Sequence, residues 1–198
     1  MFAASRLFYD NVVKTYFEKN YRFNTADGRF DFINVFGVRR LNAQVDYFND
    51  FICIAHNIGG IKTVKVYNAS TLPGHYYLCN PMDKRGCAVL KEGQYPNSHE
   101  YGLHKGAPAL VQVSPMWLFR NKPKDGSIIL DKKYLYNELC GIDIHKCVGD
   151  PTHVDKWSAG CQVLEHLNDY IDFIGIVSNA AIRCGNRFTY TLFSEADF

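Results

Sequence analysis

The sequence has no apolar run near the roughly 18 residues that a membrane-crossing helix needs. Its opening, MFAASRLFYDNVV, is interrupted by Arg6 and Asp10, so it lacks the apolar core of a signal peptide. Synthesis and folding in a cytoplasm follow as the expectation. Charge of one sign is also missing. Lys and Arg number 22 against 20 Asp and Glu, a net charge of +2. That leaves no basic footprint for nucleic acid. Cysteine is present but unpaired in pattern. There are seven, an odd number, with no C-x-x-C and no framework spacing, which argues against a disulfide scaffold. The H-x-E with P-C-x-x-C signature of zinc deaminases is absent. So are internal repeats, low-complexity tracts and an obvious linker.

What is there suits a packed chain. Hydrophobic residues make up 47% and aromatics 15% of 198 residues, enough for one domain spanning 1–198 with a core of its own. FYDNVVKTYFEKN (8–20) reads as an amphipathic helix with Val12, Val13, Tyr16 and Phe17 on one stripe. A turn is expected at Thr25–Gly28 and a strand over 30–40. Asp50–Ile54 and Ile61–Tyr67 read as strands, with a turn at Asn57–Gly60. TLPG (71–74) is a turn, and short strands between Gly and Pro fill 86–120. GIDIH is a further short strand. Residues 164–182 place Leu164, Leu167, Ile171, Ile174 and Val177 at helical spacing, ended by Gly185 and Asn186, and RFTYTLF is a last strand. Many short strands and few helices predict a β-rich α+β fold.

The chemistry concentrates in GIDIHKCVGDPTHVDKWSAGCQVLEHL, residues 141–167. His145 closes a strand, and Cys161 follows sixteen positions later behind Ser158, Ala159 and Gly160. A cysteine attacks as its thiolate and needs a base or a positive neighbour, which His145 can supply. Gly160 permits unusual backbone angles, and amides near Gly160 and Cys161 can meet a developing oxyanion. A helix starting after Cys161 would favour the thiolate through its N-terminus. Ser158 or a carbonyl could orient the imidazole. Two other readings stand beside this one. Cys161 and His145 could be ordinary packing residues, or Cys140, His145, Cys147 and Cys161 could bind zinc, although without a C-x-x-C pair. Gln112, between Val111 and Val113, is either a substrate contact or a satisfied core amide.

The G-I-D-I-H, gap, S-A-G-C pattern resembles the catalytic signature of L,D-transpeptidases, on His145, Ser158, Gly160 and Cys161. The resemblance covers about 60–195, with a helical and strand extension before it. TLPGHYYL, KEGQY, HKGAPALVQ, FR, GIDIH and WSAGCQV together also resemble bacteriophage proteins of this kind. The resemblance implies a β-rich sandwich with flanking helices, no cofactor, no metal, and a Cys161 thioester formed on a peptidoglycan stem peptide. His145 is then the base and Gly160 part of the oxyanion region. Two positions depart from the signature. Ala159 replaces the family's histidine, and Gln162 and Val163 stand where Arg or Asn usually follows the cysteine. His104, Arg120, Gln162 and Trp157 are the candidate substrate contacts that would take over. A hydrolase of endolysin type is the expected outcome, made in the host cytoplasm and released to the wall by a holin or carried in a virion. A transpeptidase, a cytoplasmic cysteine enzyme and a non-catalytic phage structural protein are the alternatives.

Overall fold

A computed structural model of the chain describes residues 7–25, 32–58, 60–149 and 151–198. The opening six residues and most of the turn expected at Thr25–Gly28 lie outside them, as do residues 30 and 31 of the first expected strand.

The first helix, α1 (Tyr9–Glu18), is short, and a ten-residue helix is marginal alone in water. Packing supplies what propensity does not. Val12 and Tyr16 are buried against Phe23, Phe36, Val38 and Phe193, with the Tyr16 ring edge-on to Phe193 at 5.0 Å. Phe17, expected on the same stripe, is 65% exposed.

Among the described residues, eleven strands follow the helix. They are β1 (Ile33–Arg39), β2 (Asp50–Ile58), β3 (Ile61–Ser70), β4 (Cys87–Leu90), β5 (Gly93–His104), β6 (Ala107–Gln112), β7 (Met116–Asn121), β8 (Leu135–Glu138), β9 (Ile144–Lys146), β10 (Gln162–Leu164) and β11 (Phe188–Ser194). Two further helices are α2 (His75–Cys79) and α3 (Leu167–Cys184). The chain is therefore strand-rich α+β. Eight strands close into a barrel in the order β1-β11-β5-β6-β9-β10-β3-β2, and β4-β7-β8 form a separate antiparallel sheet.

Strand β1 shows why the barrel has two apolar sides. Every one of its residues is buried. Val35 faces the barrel core with Ile52, Ile54, Tyr190 and Leu192, and Phe36 and Val38 face outward beneath α1. The second sheet adds Ala88, Leu90, Met116 and Leu118 to the same core. Arg39, Thr71 and Asp50 are buried and pair with one another. Arg39 donates from Nε to Thr71 Oγ1 at 3.0 Å and from Nη1 to the Leu90 carbonyl at 2.9 Å. Thr71 in turn donates to Asp50 Oδ2 at 2.7 Å. This chain of bonds ties the barrel to β4.

Helix α3 begins three residues later than the sequence pattern predicts. Leu164 belongs to β10 and points into the core. The buried stripe is Tyr170, Phe173, Val177 and Ala180, and Leu167 and Ile171 are half exposed. Aromatic residues one position from the predicted stripe take the inward face because their larger area gains more from burial.

Candidate active site

Strands β9 and β10 run parallel, with Gln162 beside Ile144 and Val163 beside His145. Side chains alternate along a strand. Ile144 and Leu164 enter the barrel core, whereas Cys147, Cys161 and Val163 form a cluster on the other face with Phe48 and Val154. Asp143 and His145 share that outer face by alternation. Gln162 N–H donates to the Asp143 carbonyl at 2.8 Å, which continues the ladder and sets Cys161 next to Asp143. His145 is thus offset from Cys161 by two residues along the sheet, roughly 8 Å between their Cα atoms by strand geometry.

Cys161 does not precede a helix. The segment after it is β10, so the expected help from a helix N-terminus is absent, and its place is set by a turn instead. Ser158 makes that turn. Its hydroxyl donates to the Cys161 carbonyl at 2.7 Å and accepts from Gly160 N–H at 3.1 Å. Ser158 therefore holds the cysteine loop and does not orient the imidazole. The Gly160 amide is likewise engaged and is not a free oxyanion donor. Gly160 has φ 136°, and a Cβ there would stand 2.9 Å from the Ala88 carbonyl oxygen and from Ile142 Cδ1.

The Cys161 thiol donates to the Gly141 carbonyl at 3.2 Å. Burial pushes it up to about 12, so at neutral pH it carries its proton. His145 is 5% exposed, and its Nδ1 lies 2.7 Å from the Lys146 carbonyl. A carbonyl only accepts, so Nδ1 holds the hydrogen and Nε2 the lone pair. That Nε2 is buried without a hydrogen-bond partner. Burial pulls the imidazole down to about 4, which keeps it a neutral acceptor. The pair is a protonated thiol and a vacant base on one face, not a preformed ion pair.

An open cleft of about 430 Å³ runs past Cys161, with Asp143, His104, Trp157 and Arg120 on its walls. His104 Nδ1 bonds Asp143 Oδ2 at 2.7 Å, and its ring stacks on that of His145 with centroids 4.2 Å apart. Arg120 is 6% exposed and already matched. Its Nε donates to Glu138 Oε1 at 3.0 Å, and its Nη2 lies 3.5 Å from Asp83 Oδ2. Arg85 completes this group with bonds to both acids. Gln162 is fully buried inside the barrel, donating to the Gly160 carbonyl and accepting from Tyr190 Oη at 3.2 Å. It supports the cysteine turn from within and cannot meet a ligand in the cleft.

Gln112 is a satisfied core amide. Its Oε1 accepts from the backbone N–H groups of Cys140, Gly141 and Ile142, and its Nε2 donates to the carbonyls of Ser114 and Glu138. The residue that sequence reasoning missed is Asp143. Its signal was the acid two positions before His145 in GIDIH, which alternation puts on the same face. Of the four residues considered for zinc, Cys147 points its thiol at the carbonyls of Leu164 and Glu165. Among the described residues no group of three or more His, Cys, Asp or Glu side chains is arranged to hold a metal ion. Comparison with models of protein families, with curated proteins and with solved structures found no match to this chain.

Proposed function

We propose that this protein is a cysteine acyl-transfer enzyme of L,D-transpeptidase type, encoded by a phage and acting hydrolytically on peptidoglycan stem peptides. The observation that carries the reading is the buried, partnerless Nε2 of His145 on the same sheet face as a cleft-lining Cys161 thiol. A vacant buried acceptor is unfavourable unless something uses it. A thiol held near 12 needs such a base, because almost none is thiolate at neutral pH. The sequence resemblance supplies the substrate class, and the barrel with its three-stranded partner sheet is read as that family's two β layers.

The steps follow from the atoms present. On substrate entry the thiol leaves the Gly141 carbonyl and gives its proton to His145 Nε2. Sulfur adds to the scissile carbonyl of the stem peptide, and the C–N bond breaks as the amine takes up a proton from a group on the cleft, leaving a thioester on Cys161. Water then opens the thioester, its oxygen adding to the carbonyl as its proton restores the one the amine took, and the His145 proton returns to sulfur. The two-residue offset between Cys161 and His145 is closed by side-chain rotation, since catalytic hydrogen bonds are often long before substrate binds. Trp157 offers an apolar wall for the stem.

Purified sacculi incubated with the wild type and with Cys161→Ala, then analysed as muropeptides by mass spectrometry, test the reading. Wild-type-only products shortened by hydrolysis are expected. Products joined to an added amine would instead make the enzyme a transpeptidase. Identical muropeptides from both proteins would refute wall chemistry. The high thiol value favours one competing reading, a non-catalytic scaffold, and that reading gains if Cys161 also fails to form any acyl adduct.

A further inference from the structure

Cys161 has two imidazoles nearby, and they are not equivalent. His145 is enclosed and does not line the cleft. His104, at the end of β5, does line it, with a side chain 21% exposed. The two rings lie face to face, 4.2 Å apart and 5° from parallel. A positive charge on His104 pushes His145 further toward its neutral form. Of the two, only His104 is hydrogen-bonded to a carboxylate. Asp143 Oδ2 takes its Nδ1–H at 2.7 Å, and Asp143 Oδ1 is anchored by Gln112 N–H at 2.8 Å. Asp143 is also the strand neighbour of Cys161. The dyad fixes the tautomer of His104 and leaves Nε2 for proton exchange, as an orienting carboxylate does for a catalytic histidine. Lys105 and Lys156 are the other basic groups on the cleft besides Arg120, and Cys140 and Asp83 are further titratable groups there.

Resting on the reading of Cys161 as nucleophile, we infer that His104, oriented by Asp143, is a second catalytic histidine that handles the proton of the departing amine. His145 then serves the thiol alone. His104 enters the cycle as the imidazolium partner of the Asp143 carboxylate, and in acylation the thiol proton goes to His145, the S–C bond forms, and the C–N bond breaks as the amine nitrogen takes the His104 Nε2 proton, leaving His104 neutral. In deacylation water gives a proton to His104 as its oxygen adds to the thioester carbonyl. The S–C bond breaks, and His145 returns its proton to the sulfur. Water and amide become acid and amine, and both rings end as they began.

A leaving-group comparison tests this. One acyl donor is prepared as the stem-peptide amide and as an aryl ester, whose leaving group departs without a proton. Single-turnover acylation of Cys161 is followed by intact-protein mass spectrometry in the wild type, His104→Ala, His104→Gln, Asp143→Asn and Cys161→Ala. The His104 variants should acylate about 100- to 10,000-fold more slowly with the amide and within a few-fold of wild type with the ester. They should then accumulate the thioester, because deacylation also slows. Added imidazole should restore amide turnover in His104→Ala. Asp143→Asn should show a smaller loss with the same amide-over-ester bias. Equal losses on both substrates, or none on either, would overturn the role of His104 and leave that of Cys161 intact. Absence of any Cys161 adduct from the ester in the wild type would overturn both.

Discussion

Replacing Gln112 by Met removes five hydrogen bonds while keeping the length and apolar stem of the side chain. The amide oxygen serves the N–H groups of Cys140 at 3.1 Å, Gly141 at 2.8 Å and Ile142 at 2.8 Å. The amide nitrogen serves the carbonyls of Ser114 at 2.9 Å and Glu138 at 3.0 Å. These five are not equal. Ile142 is 1% exposed, so its N–H would be left buried, at about 2 kcal/mol. Cys140 and Gly141 are exposed residues, and water can replace the lost acceptor there, at about 0.5 kcal/mol each. The two carbonyls lose a donor at a similar cost, and burying the thioether returns about 1 kcal/mol. The net destabilisation is about 3 kcal/mol, a fall in Tm of about 6–12 °C for a chain of this size. Thermal and urea unfolding measure it. The same loop presents Gly141 to the Cys161 thiol, so alkylation of Cys161 should speed up as the loop loosens. Gln112→Glu is the control. It keeps the acceptor but sets an oxygen against two carbonyls, so its new carboxyl is held protonated. Its stability should be highest in acid and be lost as pH rises. A Gln112→Met variant that melts within about 2 °C of wild type would refute the reasoning.

Two further outcomes follow from the cysteine turn. With the thiol at about 12 and His145 at about 4, alkylation of Cys161 by iodoacetamide should climb steadily from pH 6 to pH 10. A rate plateau between pH 5 and 8 would mean a resident thiolate–imidazolium pair and contradict the geometry. Gly160→Ala adds a Cβ 2.9 Å from Ala88 and Ile142 at a backbone φ of 136°, which strain and overpacking together set at about 3 kcal/mol. Urea unfolding measures that loss, and a value below about 1 kcal/mol would show that the turn relaxes freely.

The sequence carries the elements well and their neighbours poorly. Clean alternation in IKTVKVY marks β3, and Gly185 marks the end of α3. Leu164, Leu167 and Ile171 fit a helical period and predict an earlier start for α3, yet Leu164 belongs to a three-residue strand. Short buried strands and helical turns have the same local apolar pattern. With a strand in that place, Cys161 has no helix N-terminus to stabilise its thiolate. Gln162 differs from its expected place for a related reason. A polar residue after a candidate nucleophile suggests the cleft, but β10 turns it inward to Tyr190.

The spacing of His145 and Cys161 says that a strand, a loop and a second strand lie between them in sequence. It does not say which residues of the strands face each other. Parallel pairing puts Val163, not Cys161, beside His145. The residue that gains the place next to Cys161 is Asp143, and the group bonded to Asp143 is His104, from a hairpin 39 positions earlier. No local pattern encodes that meeting, because it depends on β6 lying between β5 and β9. The departure at Ala159 then acquires a physical counterpart. The turn of Ser158–Gly160 has no imidazole of its own, and the imidazole facing this cleft comes from the end of β5, separated from β9 by β6 in the barrel. A ring that donates a proton speeds only the departure of a leaving group that needs one, whereas a spacer of the same shape affects amide and ester alike.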